Sequence, residues 1–161
     1  MSRKDWYMKY ENEHYYEAPR IFWVVDYESK RNDKTDKYDY TAKEGDKYLK
    51  FQNLSVYAKW LYQTLKELEH RYTGKKNDSY TVVFEGVTSP KGWFYCGMEK
   101  LVFLSGISES SIRRARKELE KAGLLKMCKV RVLSKETGKF LWNSKGYRVF
   151  GETELRYSVT E

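Results

Sequence analysis

Residues 98–125 read MEKLVFLSGISESSIRRARKELEKAGLL, and this stretch decides the fold. It predicts a helix, a tight turn and a second helix. In the second helix Ile112, Ala115, Leu119 and Ala122 recur at i, i+3, i+7 and i+10, which at about 100° per residue gathers them on one side. Ser110, Arg113, Arg114, Lys117 and Lys121 fall on the other. Ser108 stands at the N-cap position with Ser110 and Ser111 in the first turn, and Gly123 stands just past the end. Leu101, Val102 and Leu104 are expected to form the buried side of the first helix, and Ser105-Gly106-Ile107 the sharp turn of a helix-turn-helix. Such a pair of helices can present its second member to the major groove of duplex DNA.

Taken alone, an amphipathic helix with a basic outer face reads equally well as a solvated surface helix. The sequence that follows favours the first reading. Leu124, Leu125, Met127, Val130 and Val132 form a strand-like run, SKETGK at 134–139 is a polar turn, and 140–142 and 147–150 supply a second run. Helix, turn, helix and a basic-tipped hairpin is the element order of a winged helix, an α+β fold. Charge agrees: residues 90–150 carry 14 Lys/Arg against 5 Glu, a net +9, while the whole chain carries +8. The excess positive charge thus sits in one segment, as a phosphate-binding surface requires.

At 161 residues the chain reads as one domain with an amino-terminal extension, and its 15 Tyr and 5 Trp exceed what a disordered chain carries. The longest apolar run, 21–25, falls far short of the ~20 residues a membrane-spanning helix needs, and the start MSRKDWYMKY has no signal-peptide core. A cytoplasmic protein without membrane contact is expected. Cys96 and Cys128 lie in two strand-like runs without CxxC spacing and read as small buried hydrophobes, close neighbours if those strands pair. His14 and His70 are isolated, so neither a metal nor a cofactor is expected.

The expected organisation is an arm, strand and charged loop over 1–50, a winged-helix domain over 51–150 and a tail over 151–161. Residues 1–17 read as an arm and 19–27 as a strand or extended segment. Residues 28–47, dense in Lys, Asp and Glu, read as a mobile loop. Ser55 is the expected N-cap of a long helix to about Tyr72, with Ala58, Leu61, Tyr62, Leu65 and Leu68 buried. Residues 73–79 read as a polar loop, and 80–84 and 93–96 as short β-formers around a GVTSPKG loop.

LSVYAKWLYQTL (54–65), GWFYCGMEKL (92–101) and SESSIRRARKELEKAGLL (108–125) together resemble the amino-terminal winged-helix domain of plasmid replication initiator A proteins and related phage replisome organisers. The resemblance covers 51–150, about two thirds of the chain, and its last motif is shared with many bacterial repressors. It implies a recognition helix in the major groove and a hairpin wing on the adjacent backbone or minor groove. Those roles fall on Ser110, Ser111, Arg113, Arg114 and Lys117 for the helix, and on Lys135 and Lys139 for the wing. The implied function is sequence-specific binding of double-stranded DNA at a replication origin, with host replication proteins as further partners. Alternatives are a repressor of a mobile element, or a winged helix that docks a host protein; the latter would show apolar rather than arginine side chains on the helix face. Initiators of this type carry a further carboxy-terminal domain. Here the sequence stops soon after the wing, so either it is a piece of a longer protein or the protein only binds DNA. The 28–47 insertion is a second departure.

No catalysis is expected. Asp26, Glu28 and Lys30 have a spacing some metal-dependent nucleases use, but in a chain with 34% charged residues it arises easily by chance, and no phosphate loop or nucleophile elbow is present. One winged helix reads few base pairs, so a homodimer on two half-sites is the natural assembly. The aromatic segment 6–25 would form the dimer contact, or else pack back on its own chain.

Overall fold

The computed structural model describes residue 22 and residues 27–43, 49–72 and 79–151. In chain order the elements are β1 (Tyr27–Asn32), β2 (Lys37–Ala42), a single turn α1 (Leu49–Gln52), α2 (Val56–Tyr72), β3 (Tyr80–Phe84), β4 (Trp93–Cys96), α3 (Met98–Ser105), α4 (Glu109–Lys121), β5 (Leu125–Ser134) and β6 (Phe140–Val149). The architecture is α+β: β1 and β2 pair as a hairpin, and the remaining strands form an antiparallel sheet in the order β3-β5-β6-β4.

Helix α2 organises the core. The Ser55 hydroxyl accepts a hydrogen bond from the Ala58 amide at 3.1 Å, satisfying a donor that a helix start leaves open. Ala58, Leu61, Tyr62, Leu65 and Leu68, at helical spacing, are buried together with Leu101, Ile112, Leu119, Leu125, Tyr147 and Val149. The Tyr62 hydroxyl donates to the Phe150 carbonyl at 2.6 Å, so the phenol enters the core with its polar tip paired. Within α3, Leu101 is buried and Val102 half-buried, but Leu104 is exposed beside Phe103, contrary to expectation. The helix has only eight residues, and one side of it rather than each aliphatic meets the core.

The strand period of two sorts β5 and β6 into faces. Leu125, Met127, Tyr147 and Val149 point to the helices, while Val130 and Val132, both fully buried, lie on the opposite face outside that core. Gly146 permits this second apolar layer. A Cβ there would lie 2.7 Å from Cys128 Sγ and 2.9 Å from both Phe84 Cδ1 and Val130 Cγ2. Gly146→Ala is therefore expected to destabilise the fold by about 1–3 kcal/mol, read as a lower urea midpoint at unchanged slope. β6 is continuous through Asn143-Ser144-Lys145-Gly146, which reads in sequence as a break between two strand-like runs. Its polar middle is held because each residue faces a β5 partner from Arg131 to Cys128.

The reading of the charged segment as a loop is overturned. The charged segment is an ordered hairpin over Tyr27–Asn32 and Lys37–Ala42 rather than a loop. Composition rules count missing aliphatics, whereas Tyr27, Tyr38, Tyr40 and Thr41 are strand formers and Lys30 pairs across with Asp39. The turn is set by Asn32, whose side-chain oxygen accepts from the Lys34 amide at 3.0 Å, and by an Arg31–Asp36 ion pair. Cys96 and Cys128, expected as neighbours only if their strands pair, lie on strands that do not pair, and Cys128 is half-buried rather than buried. β6 runs between their strands, and the register sets Cys128 opposite Gly146 but Cys96 opposite Lys145, so the thiols take opposite faces. Burial pushes both thiols above the ordinary value, which keeps them neutral.

The arm at 1–17 and the candidate dimer segment 6–25 lie outside the described residues except for Phe22, as do 44–48 and 73–78. Phe22 is buried and meets the Tyr62 ring edge-on at 5.2 Å between centroids, so at this one position the segment packs on its own chain.

Candidate nucleic-acid interface

The turn between α3 and α4 follows from Gly106, whose φ of 71° is the left-handed conformation that L side chains rarely adopt. Its amide donates to the Val102 carbonyl at 2.9 Å, closing α3. Ser105 Oγ then accepts from the Ile107 amide at 3.1 Å, and Trp60 Nε1 donates to the Ser105 carbonyl at 2.7 Å, tying the turn to α2. Ser108 caps α4, its hydroxyl accepting from the Ser111 amide. Gly123, also left-handed, follows the last turn, and the Leu124 amide donates back to the Leu119 carbonyl at 3.0 Å.

Three attachments hold α4 in one orientation. Ile112, Ala115 and Leu119 are buried along its inner side. Glu118 Oε1 accepts from the Ser55 amide at 2.8 Å and its Oε2 from the Ser55 hydroxyl at 2.6 Å. This carboxylate sits at the start of α2, where unsatisfied amides and the helix dipole favour negative charge. On the other flank Arg116 Nη1 donates to the Tyr147 hydroxyl at 3.0 Å, reaching over the sheet. Burial pushes the Tyr147 phenol up, with Arg116 opposing, so it stays protonated. Neither Arg116 nor Glu118 was legible as a positioning residue in the sequence, because their partners lie 31 and 63 residues away.

With the inner side locked, Ser110, Arg113, Arg114, Lys117 and Lys121 are exposed on the outer side. Arg113 is engaged with Glu109 one turn back, at 2.7 Å. Arg114 and Lys117 have no ion pair among the described residues. Ser111 departs from the sequence-derived set. It is only 9% exposed and its hydroxyl accepts from Ser108 Oγ at 3.0 Å, so it completes the cap rather than facing outward.

Lys135 and Lys139 are exposed on the β5–β6 turn. The turn is closed by Ser134 N to Lys139 O and Gly138 N to Ser134 O, both 2.8 Å, and anchored sideways by Lys135 N to Ser79 O at 3.2 Å. The sequence reading treated Phe140, Leu141 and Trp142 simply as strand formers, yet all three are exposed. The register is irregular here. Val132 faces Trp142 but Leu133 faces Phe140, so Leu141 is an extra residue in a β-bulge.

A cleft of about 420 Å³ lies between the 85–89 loop and Trp93, Glu120, Lys126, Met127 and Cys128. Its Glu85 is paired with Arg131 at 3.1 Å, and burial raises the Cys128 thiol above its ordinary value. Of the nuclease-like trio, Glu28 and Lys30 share one face of β1, and Asp26 lies outside the described residues. Among the described residues no helix is long and apolar enough to cross a membrane. Comparison with family models, curated proteins and solved structures finds no match to this chain.

Proposed function

We propose that the chain is a winged helix that binds double-stranded DNA sequence-specifically, with α4 in the major groove and the β5–β6 turn as the wing beside it. The observation that carries this is the outer side of α4. Arg113, Arg114 and Lys117 stand exposed on a helix whose inner side is fixed by core packing, by Glu118 and by Arg116. Recognition needs such rigidity, because a bidentate contact to a base edge is specific only when the guanidinium arrives in one orientation. That side presents no apolar residue, which favours nucleic acid over a docked protein.

The resemblance to replication initiators supports an origin as the target and host replication proteins as partners; an operator bound by a repressor is the second use of the same chemistry. The deciding experiment is selection from random duplexes at two salt concentrations. Enrichment of one motif, bound more weakly at the higher salt, is the expected result. Equal retention of all sequences at both would refute the reading. Two half-sites about one helical turn apart in the selected motif would mark a homodimer, and a single site a monomer.

A further inference from the structure

We propose that Phe140, with Leu141 beside it, is an apolar wedge that enters the minor groove and opens a base step, bending the duplex that the protein binds. This rests on the DNA-binding reading and assigns the wing a role beyond phosphate contact. Phe140 is 55% exposed and Leu141 42% exposed, immediately after Lys139 at the end of the turn. With Trp142, 40% exposed, they make three consecutive exposed large apolar residues, and contiguous apolar exposure of this kind marks an interaction surface.

Charge identifies the occupant. β5, β6 and their turn carry seven Lys/Arg (126, 129, 131, 135, 139, 145 and 148) against the single acid Glu136. Exposed apolar side chains beside a turn that carries Lys135 and Lys139 suit the minor groove between two phosphate backbones, and apolar wedges inserted there kink duplexes. The turn beside them is also stiff, as the support of a wedge must be. Three backbone hydrogen bonds close and anchor the turn, and the Tyr80 ring meets Trp142 edge-on at 5.1 Å. The bulge at Leu141 sets Phe140 opposite Leu133 and Trp142 opposite Val132, neighbours of alternate facing on β5, so the two rings take opposite faces of the hairpin.

The test uses the full chain with a mixed-sequence duplex containing one TA step, a flexible step. Its adenine is replaced by fluorescent aminopurine, and donor and acceptor dyes on the ends report bending. The wild-type protein is expected to raise the aminopurine signal and shorten the end-to-end distance. Phe140→Ser should lose both changes while still binding the duplex, and Lys139→Ala should bind more weakly but keep both at saturation. Wild-type binding without either change overturns the wedge and leaves the DNA reading standing. If the wild type binds no duplex even at low salt, both fall. Should Phe140→Ser instead dissociate a self-associated form in sedimentation without DNA, the residue belongs to a protein contact and the wedge is overturned. A thermal unfolding scan of each variant confirms that the exposed substitutions leave the fold intact.

Discussion

Arg114→Ala is expected to weaken binding to the selected duplex by about 1–3 kcal/mol and to relax preference at one base pair, the loss that follows removal of a bidentate guanine contact. Among the basic side chains of α4, Arg114 carries the largest effect because it is exposed with no ion pair among the described residues, whereas Arg113 must first leave Glu109. Glu109→Gln should accordingly leave affinity unchanged or raise it. The lysines of the β5–β6 turn should behave differently. Lys135→Ala or Lys139→Ala should weaken all sequences about equally and reduce the salt slope by about one each, since a phosphate contact releases counterions but reads no base. Fluorescence anisotropy titrations across a salt series, on the selected duplex and on single-base variants of it, separate the two behaviours. If Arg114 and the turn lysines behaved alike, α4 would not be the reading element.

Leu119→Ala should be the more damaging substitution for the fold, at about 2–5 kcal/mol, because it leaves a cavity among side chains that cannot close on it. Leu119 is fully buried on the inner side of α4, in the core cluster that α2 and the sheet share. It also lies next to Glu118, so loosening α4 here strains the carboxylate clamp on Ser55. Urea unfolding measures the loss as a shift in midpoint, against a total stability on the order of 5–15 kcal/mol for a domain. Arg114→Ala serves as the matched control. It changes an exposed residue on the same helix, so its midpoint should stay within about 0.5 kcal/mol of wild type while its DNA affinity falls.

The parts legible in the chain are those whose causes lie within a few residues. Ile112, Ala115 and Leu119 face inward because the helix repeats every 3.6 residues. The same period turns Arg113, Arg114 and Lys117 outward. Ser55 and Ser108 cap their helices, and Gly106 and Gly123 take the left-handed conformation at their ends, from local chemistry alone. The polar, lysine-flanked 134–139 segment turns for the same kind of reason.

The rest depends on which elements lie side by side. Ser111 reads as an outward residue from its position in the first turn, yet the Ser108 cap draws its hydroxyl inward. The tyrosine hairpin at 27–42 needed cross-strand partners to be seen, since its charges only become favourable once Lys30 faces Asp39. Cys96 and Cys128 are parted by β6, a consequence of strand order that spacing along the chain does not encode. The clamp from Glu118 to Ser55 and the reach of Arg116 to Tyr147 join residues that only the packed core brings together. A bulge in β6 likewise sets Phe140 rather than Leu141 opposite Leu133, because one extra residue reverses the facing that simple alternation would assign. Local periodicity thus marks the helix that faces outward with basic charge, while long-range pairing sets its orientation and the surface of the hairpin beside it.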